Sequence, residues 1–202
     1  MASLSLRHLS KTYDNGDNAI KDVTLEDDDK EFMVLAGPVG CGISTVLRMI
    51  EGVEDITDGD LLDDGERKNE NTSIERAMAL IFKNGKLYPQ TNIYDNLAFG
   101  LKLKELPIGE IDARIAEVTQ VLNIGHLLDK MTEDLDEKER ALVVLGRAIV
   151  KKPKVFLLDE PFSSLSKELK KEMQELLWSL YEKMQITVVY VTHNSEDIRH
   201  TD

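Results

Sequence analysis

The densest chemical signal in the chain is Gly37-Pro38-Val39-Gly40-Cys41-Gly42-Ile43-Ser44-Thr45. An apolar run, Phe32–Ala36, leads into it, and a helical pattern through Ile50 follows. Strand, glycine loop and helix in that order make a cradle for phosphate. Glycines let the main chain turn tightly and set its N–H groups against phosphate oxygens, and the helix N-terminus adds partial positive charge. Gly37, Pro38, Gly40, Cys41, Gly42, Ser44 and Thr45 are therefore the candidate phosphate positions, with the Ser44 hydroxyl placed for Mg²⁺. The pattern for such a loop is G-x-x-x-x-G-K-[ST], and here Ile43 stands at the lysine position. Isoleucine donates nothing and carries no charge. A lost charge-assisted hydrogen bond costs about 1.5–3 kcal/mol, roughly ten- to a hundred-fold in affinity. Losing a clamp on developing charge costs on the order of 10²–10³ in rate. A glycine turn that holds no ligand is the other reading of the same residues.

Two further polar groups close apolar runs. Val155–Leu158 leads into Asp159-Glu160-Pro161. A carboxylate at the carboxyl end of a buried strand sits where α/β sheets bind ligands. There Asp159 suits Mg²⁺ contact and Glu160 suits polarising an attacking water. Paired acids also mark a strand's exit to solvent. Ile186–Val191 ends in Thr192-His193, so His193 is either a structural histidine or a third strand-end ligand group.

The elements that must position these groups are legible as pattern. Phe32–Ala36, Ala77–Phe82, Val155–Leu158 and Ile186–Val191 are continuous apolar runs, as in strands buried on both faces. Ile111, Ile115, Val118 and Leu122 recur at helical spacing, as do Leu169, Met173, Leu176, Leu180 and Met184. Strands alternating with helices predict an α/β fold with a mostly parallel, covered sheet. Leu4 with Leu6, and Val23 with Leu25, alternate with polar residues, which predicts a small antiparallel β flank at the N-terminus. The middle, about 84–151, reads as a helical insert. No repeat or linker interrupts the 202 residues, so residues 1–202 are expected to form a single domain. EDDDKE at 26–31 and the segment Glu51–Glu66 read as solvated turns and faces.

Composition excludes several classes. With 38 acids against 25 bases the net charge is −13, which argues against a general nucleic-acid or anionic-membrane binder. No apolar stretch approaches the roughly 20 residues needed to span a bilayer. The opening MASLSLRHLS lacks the apolar core of a secretory signal. Cys41 is the one cysteine, so no internal disulfide forms and a reducing compartment fits.

Taken together these residues resemble the ATP-binding subunit of ABC transporters, most closely the carbohydrate-importer type. The resemblance runs through LSKTYDNGDNAIKDVTLE, the glycine loop, LYP at 87–89, YDNLAFGLKL at 94–103, LGRAIV at 145–150, FLLDEPFSSL at 156–165 and YVTH at 190–193. It implies a P-loop NTPase (RecA-like) core that binds ATP and Mg²⁺. Tyr13 would stack on adenine, Gly37, Gly40, Gly42, Ser44 and Thr45 would hold phosphates and Mg²⁺, and Asp159 and Glu160 would be the Mg²⁺ and water-activating acids. His193 would contact the γ-phosphate. It also implies a head-to-tail homodimer with two ATP molecules between glycine and signature loops, coupled to transmembrane permease subunits. The location implied is cytoplasmic, at the inner face of the membrane. Further strands after His193 and a C-terminal regulatory domain would follow in that type, whereas this sequence stops at Asp202, so a sheet edge is expected to be exposed.

Several positions depart from the pattern. Besides Ile43, Lys83 replaces a glutamine that senses Mg²⁺ and the attacking water. The signature LSGGQ reads Leu135-Asp136-Glu137-Lys138-Glu139, and Ser166 replaces an aspartate. Small residues in the signature admit a phosphate across the dimer, whereas three carboxylates there block and repel it. The replacements suit folding: Asp136 and Glu139 form a capping arrangement before the helix Ala141–Val150, and Ser166 remains an N-cap. The expectation is an importer subunit with weakened ATP and Mg²⁺ binding, strongly impaired hydrolysis and no ATP-driven dimer. The alternatives are an engineered or degenerate scaffold with little or no nucleotide binding, and a non-enzymatic partner-binding module that uses the helical insert.

Overall fold

The computed structural model describes residues 3–193 apart from Ile74 and Asn84. In chain order these form β1 (Leu4–Thr12), β2 (Asn18–Asp27), β3 (Phe32–Ala36), α1 (Ile43–Glu51), β4 (Asp58–Asp63), β5 (Glu66–Arg67) and β6 (Met78–Ile81). Then come α2 (Ile93–Leu103), α3 (Ile108–Leu122), α4 (Glu137–Ile149), β7 (Val155–Asp159), α5 (Lys167–Met184) and β8 (Thr187–Thr192).

The apolar runs build a parallel sheet in the order β3-β8-β7-β6. Every residue of β7 and β8 is buried, while β3 at one edge is only half-buried because it pairs with β8 alone. Successive side chains of a strand point to opposite faces, and the two cores follow that alternation. Phe156, Leu158, Val188 and Tyr190 pack with α2, α3, α4 and α5, contributed by Leu97, Ile115, Val143 and Leu177 among others. Val155, Leu157, Val189 and Val191 pack instead with Leu47 and Ile50 of α1. Each such side chain, fully withdrawn from water, contributes about 1.5–3 kcal/mol.

The second sheet is antiparallel, in the order β2-β1-β4-β5, with Leu6 facing Leu25 on one side and Leu61 on the other. Its Leu4, Leu6, Leu9 and Leu61 close the core over α1, so α1 lies between the two sheets. The α/β core with an antiparallel flank is thus as the sequence indicates. Two details differ. The acidic segment 51–66 is not only solvated face: it contains β4, whose Leu61 is fully buried. Its aspartates outnumber its apolar residues, which hides the strand. Within 26–31, Asp27 is buried at the end of β2, in register with Leu4.

Register fixes where the chemistry sits. Ala36 pairs with Thr192, Asp159 with Val191 and Ile81 with Leu158, so the carboxyl ends of the four parallel strands line one edge. The glycine loop, Asp159-Glu160, His193 and Lys83 all leave the sheet at that edge. No helix among the described residues is long and apolar enough to cross a membrane. Residues 194–202, where the resemblance places the chain's continuation, lie outside the described residues.

Candidate nucleotide site

The glycine loop owes its shape to residues no other type replaces easily. Gly40 and Gly42 have φ of 85° and 90°, which glycine adopts without steric cost. A Cβ on Gly42 would meet the Ala19 carbonyl at 2.5 Å and Ile20 Cδ1 at 2.4 Å, so the start of β2 presses directly on the loop. A Cβ on Gly40 would meet nothing within 4 Å, which leaves that side of the loop open. Within the loop the Cys41 amide donates to the Pro38 carbonyl at 3.1 Å, and the amides of Thr45 and Val46 both turn back to the Gly42 carbonyl. The Cys41 thiol is free and exposed. Gly42 caps α1 without a side-chain bond, whereas Asn92, Asp136 and Ser166 cap α2, α4 and α5 with theirs. A helix start without a side-chain cap is one that favours an anion.

The ends of β7 and β8 converge on this loop. Ser44 Oγ donates to Asp159 Oδ1 at 2.8 Å, and Asp159 is buried. The ring of His193 meets the Gly37 carbonyl through Nδ1 at 2.6 Å, and the His193 amide donates to Glu160 Oε1 at 3.2 Å. Glu160 itself sits in the left-handed region, φ 44°, held by its amide on the Val191 carbonyl at 3.0 Å. That backbone state costs a non-glycine residue roughly 1–2 kcal/mol and turns the carboxylate into the site. Gly37, Ser44, Asp159, Glu160 and His193 are thereby brought together. The contacts of Tyr13 are with other residues: it follows β1, its hydroxyl donates to Glu54 Oε1 at 3.4 Å, and Lys11 Nζ lies 5.2 Å from its ring centroid.

Two departures from the expected pattern have direct geometric consequences. Ile43 is half-buried against the α1 core, and its Cδ1 lies 2.8 Å from where a Cβ on Gly37 would stand. An apolar methyl therefore packs close to Gly37, and position 43 offers no charge to a phosphate. Lys83, two residues beyond β6, forms an ion pair with Glu160 Oε2. Burial pushes the Glu160 carboxyl up, but the Lys83 ammonium, the His193 amide and the nearby imidazole together hold it below the ordinary carboxylate range. Read from sequence, Lys83 is only a lost glutamine; its pairing with a residue 77 positions away has no local signal.

The signature turn confirms the capping arrangement. Asp136 accepts from the Glu139 amide while Glu139 accepts from the Asp136 amide, a capping box at the start of α4. Lys138 is not taken up by its flanking acids; it pairs with Glu172 on α5. Glu139 also holds Lys130 at 2.7 Å.

The donor set fits a magnesium nucleotide in part. Ser44 and Asp159 offer two hard oxygens already 2.8 Å apart, the ligand type Mg²⁺ prefers, and the loop amides fit phosphate oxygens. At Ile43 the fit fails.

Comparison with known proteins places the chain. Residues 20–163 match the ABC transporter family model. The chain is 45% identical over 197 residues to the ABC transporter ATP-binding protein YcjV of Escherichia coli K12, covering 98% of this chain and 55% of that protein. It is 42% identical to the oligosaccharides import ATP-binding protein MsmX of Bacillus subtilis 168, covering 98% and 54%. It thus spans about half the length of these relatives. Among solved structures, the dimeric bacterial ABC transporter cassette MJ0796 superposes with TM-score 0.83 at 25% identity, covering 97% of this chain and 90% of that one. CbiO1 of Clostridium perfringens, part of the transporter complex cbiONQ, gives TM-score 0.83 at 26% identity, covering 95% and 78%. On the family match and on these identities over nearly its whole length, the chain belongs to the ABC transporter ATP-binding family.

Proposed function

We propose that this protein is the nucleotide-binding subunit of a solute importer of the sugar-transporting type, and that as written it binds Mg-ATP weakly and hydrolyses it very slowly. The observation that carries the reading is the convergence of the glycine loop, Ser44–Asp159, Glu160 and His193 at one sheet edge, with Lys83 fixed on Glu160. Ser44 and Asp159 would hold Mg²⁺, whose charge would draw electron density from the phosphate oxygens. The loop amides would seat the phosphates and His193 would steady the outermost one. Tyr13 would offer its ring to the base.

Two residue-level effects slow the chemistry. Ile43 leaves the outer phosphates without the ammonium that offsets developing charge, on the order of 10²–10³ in rate. Glu160, held below the ordinary carboxylate range by its Lys83 partner, is a poorer base toward water. The Asp136–Glu139 turn opposes a sandwich dimer, because acids stand where an incoming phosphate needs bare main chain.

The permease partner belongs to the same reading. Phe82, Tyr88, Phe99 and Leu103 line an open groove of about 670 Å³ between α2, α4 and β6, with Arg147 and Lys151 among its walls. Tyr88 and Phe99 pack with tilted rings, centroids 4.4 Å apart, and Arg147 lies 5.0 Å from the Tyr88 ring centroid. Exposed aromatic and aliphatic side chains gathered in a concavity suit a docked protein segment. No observation favours a scaffold that excludes nucleotide over this reading.

A thermal-shift titration with Mg-ATP, run beside a phosphate-release assay, tests the proposal. Stabilisation follows RT ln(1 + [L]/Kd), so a Kd near millimolar gives a shift only at millimolar nucleotide. Such a shift with release far below about 1 s⁻¹ is expected; release near the common enzyme range of roughly 10 s⁻¹ would refute it.

A further inference from the structure

We propose that Lys83 is a phosphate-binding residue, its ammonium standing in for the charge that position 43 lacks, so that nucleotide is held with little need of a divalent cation. The inference rests on the nucleotide-binding reading above and adds a residue to it.

A continuous set of contacts ties Lys83 to the glycine loop. Its ammonium pairs with Glu160 Oε2; Glu160 Oε1 accepts from the His193 amide at 3.2 Å; the His193 ring meets the Gly37 carbonyl at 2.6 Å. Among the described residues bonded to Gly37, Ser44, Asp159, Glu160 or His193, Lys83 supplies the one side-chain ammonium or guanidinium. The Lys83 side chain is 55% exposed and that of Glu160 only 10%, so the lysine reaches the carboxylate from the rim with part of its surface open, where it also borders the groove of Phe82, Tyr88 and Phe99.

An ammonium has three N–H donors and Glu160 occupies only part of that capacity. An outer phosphoryl group seated by the loop would lie beside the same carboxylate. The ammonium then serves both anions and relieves their mutual repulsion, which two carboxylates and a triphosphate would otherwise suffer. The same charge works against Mg²⁺ at Ser44–Asp159, because a lysine beside the phosphate oxygens competes with a cation for them. Position 43 cannot share the task, since its methyl already lies over Gly37.

The test measures ATP binding by calorimetry and thermal shift, in EDTA and in excess Mg²⁺, for the wild type, Lys83→Gln and the charge swap I43K/K83Q. The wild type is expected to bind ATP with affinities that agree within about threefold between the two conditions. K83Q is expected to lose roughly ten- to a hundred-fold in EDTA and to regain part of it with Mg²⁺. The swap is expected to recover binding by returning the charge to position 43. Lys83 is largely exposed, so K83Q should melt within a few degrees of the wild type and be measurable as a folded protein. Wild-type binding that K83Q leaves unchanged or strengthens in EDTA overturns this assignment alone, leaving Lys83 merely a partner of Glu160. No wild-type binding in either condition overturns both the assignment and the nucleotide-binding reading.

Discussion

Asp27 couples the folding of this protein to pH through a single carboxyl. It ends β2 in register with Leu4, fully withdrawn from solvent, and neither of its oxygens meets an N–H or O–H donor. Its close neighbour is another carboxylate, Glu31, and that contact is favourable only when one of the two carries a proton. Burial, then Glu31, then Asp28 push its pKa up from 3.8 to about 7. The folded state therefore holds this proton more tightly than the unfolded chain. The associated stability is fully present below about pH 4, falls by about 1.4 kcal/mol per unit through the interval up to pH 7, and levels off above it. The integrated loss is on the order of 4 kcal/mol. Asp27→Asn keeps the shape and supplies an N–H toward Glu31 at every pH. Melting temperatures of the D27N and wild-type proteins should converge near pH 4–5 and separate by roughly 8–16 °C at pH 8, the variant being the more stable. Parallel pH curves for the two would show that Asp27 does not titrate in this range.

At the scale of elements, α4 shows what the signature turn does for the fold. The box formed by Asp136 and Glu139 satisfies two helix-end amides, and Lys138 reaches α5 through Glu172. Asp136→Ala should cost about 1 kcal/mol, or roughly 2–4 °C in a chain of this length. Replacing Glu137 and Lys138 by glycine should cost up to about 1 kcal/mol each, measurable as a lower urea midpoint at unchanged slope. A midpoint unmoved by either change would mean that α4 is held by its buried Val143, Leu145 and Ile149 alone. Elements of this kind were the readable ones. The runs of β7 and β8, the 3.6-residue pattern of Ile111–Leu122 and the Asp-x-x-Glu cap are local, and local physics produces them whatever the rest of the chain does. The strand-end residues Gly37, Asp159 and His193 were readable for the same reason, since each closes such a run. β4 was not, because a strand rich in aspartate looks like a surface until Leu61 is seen against Leu6. Nor was the Lys83–Glu160 pair, since only the parallel register of β6 and β7 brings those two ends side by side.

At the scale of the whole molecule, the question is whether two copies close around nucleotide. The residues proposed to seat a triphosphate lie at the carboxyl edge of the parallel sheet, while the turn that would meet it from a second copy begins α4 in the helical part of the chain. That turn presents Asp136, Glu137 and Glu139 against one Lys138, which is already paired with Glu172. Two like-charged surfaces pressed together in a closing interface cost several kcal/mol, and the chain's net charge of −13 adds a general repulsion between copies. The wild type should therefore sediment as a monomer at millimolar Mg-ATP. Combining Ile43→Lys with glycine at 137 and 138 clears two long side chains from the turn while Asp136 and Glu139 keep their charges, returns the ammonium to the loop and leaves the two sheets untouched. That variant should show nucleotide-dependent association toward twice the monomer mass, reversed by removing the nucleotide. A wild type that already doubles its mass with ATP would mean that the Asp136–Glu139 turn tolerates a phosphate across the interface. A triple variant that binds ATP and stays monomeric would place the obstacle in the charge that remains, at Asp136 and Glu139 or over the surface as a whole, rather than in the bulk of residues 137 and 138.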